Sequence, residues 1–307
     1  MKDKKRKIVL AGGSGYLGSR LIAHYRAKDH EIVVLTRGAS GVRDSVRYIH
    51  WDNCSPGDWG EELEGADLII NMVGKSVDCR YTEKNKKEII ESRTNATTVL
   101  GETINKLEQP PRLWLNAGSA AIYGDTGSSL INEKSPLGSG FSAEVCKLWE
   151  EAFRLADTPR TRKVVLRIGL VFDRNAWVLQ PFITMARYGV GGRIGNGNQY
   201  VSWIHITDFL QALDRIDDDS GINGAVNIVA PNPVTNREFM RAIRKATGIY
   251  YGLPTPAWLL KTGGLLIGKE AGLVLGGRRV VSEILGEKQM NFHFPTIHAA
   301  MRQIVGR

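Results

Sequence analysis

The chain has 307 residues, 42% of them hydrophobic and 24% charged, with a formal net charge of +9. That is enough to bury a large core, as one extended α/β domain or as a large and a small one, and it excludes a disordered or fibrous protein. The positive balance fits an anionic ligand or simple solubility. No basic stripe interleaved with aromatics and no groove-reading motif accompanies it, so no nucleic-acid partner is expected.

The first residues are rich in lysine and arginine, but only Ile8 to Ala11 are apolar before the glycines begin. That run is too short for a signal-peptide core, so it reads as a charged lead-in to a strand, Lys7–Ala11. The strand enters a turn made of Gly12, Gly13, Ser14, Gly15, Tyr16, Leu17 and Gly18. Gly12, Gly15 and Gly18 lie three apart, and Gly13, Gly15 and Gly18 also satisfy G-x-G-x-x-G. Behind them Leu17, Leu21, Ile22 and Tyr25 share one helical face. Strand, glycine turn and helix in that order predict a dinucleotide site, with main-chain N–H groups at the pyrophosphate and the positive helix end facing it.

A second strand, Glu31–Thr36, ends at Thr36 and Arg37, 19 residues past Gly18. An NAD-binding unit carries a carboxylate there for the ribose 2′-hydroxyl; a guanidinium suits a 2′-phosphate instead. The expected cofactor is therefore NADP(H) in preference to NAD(H), the alternative for Arg37 being a solvent-facing arginine at a strand end. A third strand, Val46–His50, leads to Asp52, placed to accept from the adenine amino group and equally ordinary as a turn aspartate. The fourth, Asp67–Val73, delivers Asn71, Met72, Val73 and Gly74 to the carboxyl edge, where ligands bind in such sheets.

Helices are predicted over Glu83–Leu107 and Ser142–Ala156, and further strands over Leu113–Ala117, Val164–Val171 and Ala225–Ala230. Thr235 to Glu238 reads as a capping box opening a helix that ends near Gly248. The alternation predicts an α/β fold: a Rossmann-type doubly wound parallel sheet over residues 1–230, then a smaller, mainly helical C-terminal lobe over 231–307 that closes over the crevice. The late apolar stretch, Ala257 to Gly277, is interrupted by Lys261, Lys269 and Glu270 and is no membrane span. Cys54, Cys79 and Cys146 form no C-x-x-C pair, which points to a reducing, cytoplasmic setting. No histidine spacing suits a metal; His293 and His298 are five apart around Pro295.

GGSGYLG, NMVGKSVDCRYTEKNKKEIIESR, GSAAIYGD, FSAEVCKLWEEA, VSWIHITDF and TNREF together resemble the extended short-chain dehydrogenase/reductase superfamily, the NAD(P)-dependent epimerase/dehydratase group. The likeness runs over nearly the whole chain. LPTPAWLLKTGG and FHFPTIHAAM are similar to the C-terminal domain of unknown function found in an atypical branch, the "epimerase family" proteins. The resemblance implies chemistry by a serine, a tyrosine and a lysine, the last two in Y-x-x-x-K spacing. Ser119 and Lys147 match the serine and the lysine, but Ala143 stands where the tyrosine belongs.

Glu144, Tyr123 and, less directly, Cys146 are the nearby groups able to replace that phenol as proton donor. A carboxyl at Glu144 would need partial burial to be tuned for the task. Substrate contacts are expected from Lys75, Asp78 and Arg80, which follow Gly74. A glycine-rich loop, Gly189 to Trp203, offers Arg193, Asn196, Asn198, Gln199 and Trp203 over a bound molecule. Arg93 lies on a helix where the superfamily often has asparagine, pointing at the site or pairing on the surface. The implied activity is an NADP(H)-dependent oxidoreductase on a small, anionic or sugar-like carbonyl compound. The missing tyrosine leaves a non-catalytic NADPH-binding sensor as the other reading. A helix-mediated homodimer is common in this fold.

Overall fold

Short β-branched runs alternating with amphipathic helices build one eight-stranded sheet with helices on both faces. The computed structural model describes residues 5–259 and 276–306. In chain order the strands are β1 (Lys7–Ala11), β2 (Glu31–Thr36), β3 (Gly41–Arg43), β4 (Val46–His50), β5 (Leu68–Asn71), β6 (Leu113–Ser119), β7 (Leu130–Ile131), β8 (Arg162–Ile168), β9 (Leu170–Phe172), β10 (Tyr200–Val201), β11 (Trp203–His205), β12 (Gly224–Ile228), β13 (Val234–Thr235) and β14 (Arg279–Val280). The longer helices are α1 (Tyr16–Ala27), α2 (Glu83–Lys106), α3 (Phe141–Leu155), α4 (Gln180–Arg187), α5 (Ile206–Asp218) and α6 (Asn236–Thr247).

The main sheet runs β12-β8-β6-β5-β1-β2-β4-β3. Every pairing in it is parallel except β3 with β4. β5 is buried along its whole length and β6 along all but its last residue, the continuous apolar pattern of a sheet covered on both faces. One face packs α1 and α5, through Leu21, Tyr25, Phe209 and Leu213. The other packs α2 and α3, through Ala96, Val99, Leu100 and Phe153. β1 lies between β2 and β5, with Ala11 opposite Leu35 on one side and Asn71 on the other. The strand order reverses there, so the ligand crevice of this fold opens at the carboxyl ends of β1 and β5.

Two departures from the sequence reading matter for the site. The run Val164–Val171 is not one strand. At Gly169 the chain leaves the sheet: Leu170 N–H donates to Ser202 O at 2.9 Å, and a Cβ on Gly169 would stand 2.8 Å from the same oxygen. β9 then pairs with β11 instead. Residues from Phe172 to Trp203 consequently share a core with Phe239, Met240, Ile297 and Met301. The lobe is thus assembled from 170–205 as well as from the C-terminal segment, and a single cut at residue 230 does not separate the two cores. The other departure is the β3–β4 hairpin, absent from the sequence reading and turned by Asp44 and Ser45 at φ 49° and 63°.

α6 begins as predicted at Thr235, whose hydroxyl accepts from Glu238 N–H at 3.3 Å, and ends at Gly248 in the left-handed conformation. The capping box is half formed: the Glu238 carboxylate sits 3.2 Å from His298 on the closing helix Ile297–Val305. Most of the apolar stretch Ala257 to Gly277, with Lys261, Lys269 and Glu270, falls outside the described residues. Among those described, no helix is long and apolar enough to cross a membrane, and no group of three or more acidic, histidine or cysteine side chains could hold a metal ion.

Candidate active site

The glycine turn is shaped by close approach. Gly12 has φ 79°, and a Cβ there would lie 2.9 Å from the main chain of Met72 and Val73. A Cβ on Gly18 would fall 2.4–2.5 Å from the Gly13 main chain, so α1 is seated directly on the turn. Gly15 caps α1 without a side-chain hydrogen bond, and the first turn holds no acidic residue. The first N–H groups of α1 therefore present uncompensated positive charge to the crevice, the arrangement an anionic pyrophosphate needs. Ser14 and Gly15 are exposed and Leu17 is half-buried. Tyr16 points elsewhere: its hydroxyl donates to Asp173, which also pairs with Arg20 at 2.5 Å. Burial and the Asp173 hydrogen bond push the Tyr16 phenol up to about 12.

Arg37 stands exposed at the end of β2, beside Thr36, whose hydroxyl accepts from Gly38 N–H at 3.1 Å. Asp52 Oδ1 accepts from Cys54 and Ser55 N–H at 2.9 and 2.8 Å. Those main-chain bonds hold its carboxyl below the usual range. Asp52 is thus first of all a turn residue.

Asn71 corrects the expectation of a direct cofactor contact. Its side chain is fully buried, donating to Asn116 Oδ1 at 2.7 Å and accepting from Val73 N–H at 3.1 Å. With Thr97, which accepts from Trp149 Nε1 at 3.0 Å, these residues form a buried polar chain linking β5, β6, α2 and α3. Asn71 shapes the path of Met72, Val73 and Gly74 from below. Gly74 in turn lies on Arg93: a Cβ there would be 2.9 Å from the guanidinium carbon. Arg93 donates to Ile89 O at 2.8 Å and covers the Trp149 ring at 5.1 Å.

Several predicted catalytic and substrate residues are placed differently. Tyr123 is 1% exposed; its hydroxyl donates to Asn227 and accepts from Arg167, both at 2.8 Å. It is a core residue and no proton donor to the crevice. Burial also raises its pKa. Glu144 is exposed on the first turn of α3, so the burial needed to tune it is missing. Ala143, Val145 and Cys146 are buried beside it, and burial pushes the Cys146 thiol up to about 11. Lys147 is exposed, and its ammonium makes no hydrogen bond or ion pair among the described residues. Ser119 ends β6, and its oxygen accepts from Ala121 N–H at 3.1 Å.

Lys75 is already spent, its ammonium held by Asn85 at 2.8 Å and by Glu88. Arg80 is exposed, with its carbonyl capping Asn85. Trp203 is wholly buried, donates to Asn232 O and stacks on Phe172, so it is core and not a substrate platform. The stretch from Gly189 to Trp203 is tied down by Gly192 and Gly195 N–H bonds to Leu253 O and Thr255 O, both 2.9 Å. Arg193 lines a cavity of about 410 Å³ with Arg237, Arg244 and Pro254, sharing no residue with the glycine turn.

Two arginines escaped the sequence reading. Arg167 makes a two-pronged pair with Glu150 at 2.9 and 2.8 Å, and an arginine inside the apolar run of β8 was the available signal. Arg278 donates to Gly124 O at 3.0 Å. Nothing local marks it.

Residues 8–228 match the family described as "NAD dependent epimerase/dehydratase family". The human "Epimerase family protein SDR39U1" is 30% identical over 304 residues, covering 97% of this chain and 99% of that one. "Epimerase family protein YfhF" of Bacillus subtilis is 28% identical over 302 residues, 97% of each. Among solved structures, human SDR39U1 (isoform 2) with NADPH superposes with a TM-score of 0.85 at 28% identity, covering 97% of this chain and 99% of that one.

Proposed function

The chain belongs to the NAD dependent epimerase/dehydratase family, and on that premise we propose that it binds NADP(H) in preference to NAD(H) and acts as an oxidoreductase on a small carbonyl or sugar-like compound. The observation that carries the binding is the uncapped, acid-free start of α1 on a glycine turn too tight for side chains. Arg37 in place of a carboxylate supports the phosphorylated dinucleotide, as does the NADPH bound by the human relative.

When bound, a nicotinamide dinucleotide supplies or takes up a hydride. The chain's own residues orient the substrate and move the proton. The Ala121 N–H fixes the Ser119 oxygen, leaving the hydroxyl proton to donate to a substrate oxygen. Lys147, with no partner among the described residues, is placed to hydrogen-bond the nicotinamide ribose. With Tyr123 in the core and the Cys146 thiol buried, the proton falls to Glu144, an exposed carboxylate on the first turn of α3. The unpaired cysteines support a reducing, cytoplasmic setting.

The second reading is a non-catalytic NADPH sensor. Buried Ala143 favours it, since no phenol stands at that turn of α3. Thermal shift with NADPH and NADH tests binding, and we expect the larger rise with NADPH. No stabilisation by either dinucleotide sinks both readings. Nicotinamide absorbance over a panel of aldehydes, ketones and nucleotide sugars then divides them. Consumption that Ser119→Ala abolishes supports the enzyme; binding without consumption across the panel supports the sensor.

A further inference from the structure

We propose that the crevice binds the anionic end of its substrate, a carboxylate or phosphate group, between the guanidinium groups of Arg93 and Arg278. The inference rests on the dinucleotide reading above and adds the substrate's charge to it.

Three arginines set into the structure meet carboxylates, whereas Arg162 is closed by four main-chain carbonyls and Arg244 bonds Gly191 O. Arg167 pairs with Glu150 at 2.8 Å, Arg20 with Asp173 at 2.5 Å and Arg6 with Asp217 at 2.5 Å. Arg93 and Arg278 do not: neither has a carboxylate within ion-pair distance among the described residues. Each hydrogen bond found for their guanidinium groups goes to a neutral main-chain carbonyl, Ile89 O for Arg93 and Gly124 O for Arg278. Each fork keeps donors to spare, and a desolvated cation without a counter-ion is costly unless a ligand completes it.

The two reach one place from different parts of the chain. Arg93 rises from α2 under Gly74, at the carboxyl edge of β5. Arg278 is clamped by main-chain bonds at Tyr200 O and from the Ser202 hydroxyl, and lies on Gly124 at the end of the turn that starts from Ser119. Both approach one stretch of α3: Arg93 covers the Trp149 ring at 5.1 Å, and Val280, two residues past Arg278, shares a buried cluster with Cys146, whose thiol lies three residues before Trp149. That thiol is neutral and cannot serve as counter-ion. The other charged or titratable groups acting there are Tyr81 on Arg93, Asp125 on Arg278, and Glu150 and Arg167 on Cys146. Asp125 is exposed and accepts from Gly127 N–H at 3.1 Å, and Glu150 is committed to Arg167. Burial pulls the pKa of both guanidiniums down.

The test uses the full chain saturated with NADPH and titrated calorimetrically with malonate, inorganic phosphate and uncharged malonamide. One or both anions bind and malonamide does not; the tighter anion identifies the group. Arg93→Gln and Arg278→Gln each weaken that anion roughly 10- to 100-fold, while Arg93→Lys recovers part of the loss. NADPH affinity, measured on each variant, reports that it is folded. Should a variant fail to fold, the wild-type chain still decides: malonate or phosphate protects Arg93 and Arg278 from phenylglyoxal, read by peptide mass. Anion binding that ignores the variants, anions that compete with NADPH, or no anion binding to the NADPH-loaded chain overturns the inference. A chain that never binds NADPH overturns the underlying reading instead.

Discussion

Arg167 Nη1 donates to the Tyr123 hydroxyl at 2.8 Å, and the same hydroxyl donates to Asn227 Oδ1 at 2.8 Å. Although burial pulls the Arg167 pKa down, the two-pronged bond to Glu150 holds it above the usual arginine value, so the network is charged. Removing the hydroxyl leaves two buried partners short of a bond. Tyr123→Phe is expected to lose about 1–3 kcal/mol of stability in urea unfolding while leaving any turnover in place. A variant of normal stability and abolished turnover would return Tyr123 to the reaction.

Two glycines of the turn separate folding from binding. A Cβ on Gly18 meets the Gly13 main chain at 2.4–2.5 Å, whereas one on Gly15 finds only Gly12 O, at 3.7 Å. Gly18→Ala should cost about 1–3 kcal/mol, as overpacked sites do. Gly15→Ala should fold nearly as the parent does and yet bind NADPH poorly, because the methyl stands where a pyrophosphate approaches the helix end. Equal NADPH affinity in Gly15→Ala and the parent would contradict the assignment of the turn.

Arg37 is exposed, so its loss should leave the fold alone. Arg37→Ala is expected to weaken NADPH by roughly 10- to 100-fold, the worth of charged hydrogen bonds to a phosphate, and NADH hardly at all. An unchanged ratio of the two dissociation constants would rule out a 2′-phosphate contact.

One acid-side effect follows from α1 and α5. Burial alone would raise the Asp214 carboxyl, but His24 and Lys28, at 2.9 and 2.7 Å, more than offset it and hold it below the usual range. A depressed folded-state value contributes stability above the ordinary carboxylate pKa, lost as pH falls through the folded one. The window therefore lies below about pH 4. Asp214→Asn should lower stability near neutrality and flatten its decline in that window, measured by thermal unfolding against pH. An unaltered slope would count against the pair.

What was legible in the sequence was local. The unit from Lys7 to Ala27 declares itself because strand, turn and helix are adjacent and each constrains the next. The β3–β4 hairpin was not, since all three β3 residues are exposed and carry no apolar alternation. β8 and β9 read as one run because their separation is imposed by Ser202, far along the chain, against Gly169. The site divides the same way. Ser119 ends β6 and Lys147 lies exposed on α3, while Tyr123 and Trp203 looked available only because their burial comes from distant partners, Asn227, Arg167, Asn232 and Phe172. Lys75 looked free because Glu88 lies a helix turn beyond its loop.

The departure of the chain at Gly169 also decides where this protein can be divided. Phe172 and Trp203 stack on each other, and Phe172 stacks again on Phe239, a residue of α6. A fragment cut after Ala230 would keep the whole eight-stranded sheet and the glycine turn yet bare this aromatic face to water. Asp173, the residue that holds Tyr16 and Arg20 of the first helix, lies beside that face. The nucleotide half of the molecule is therefore contiguous in sequence but not self-sufficient in space, and its first helix leans on a wall that only the far end of the chain can finish.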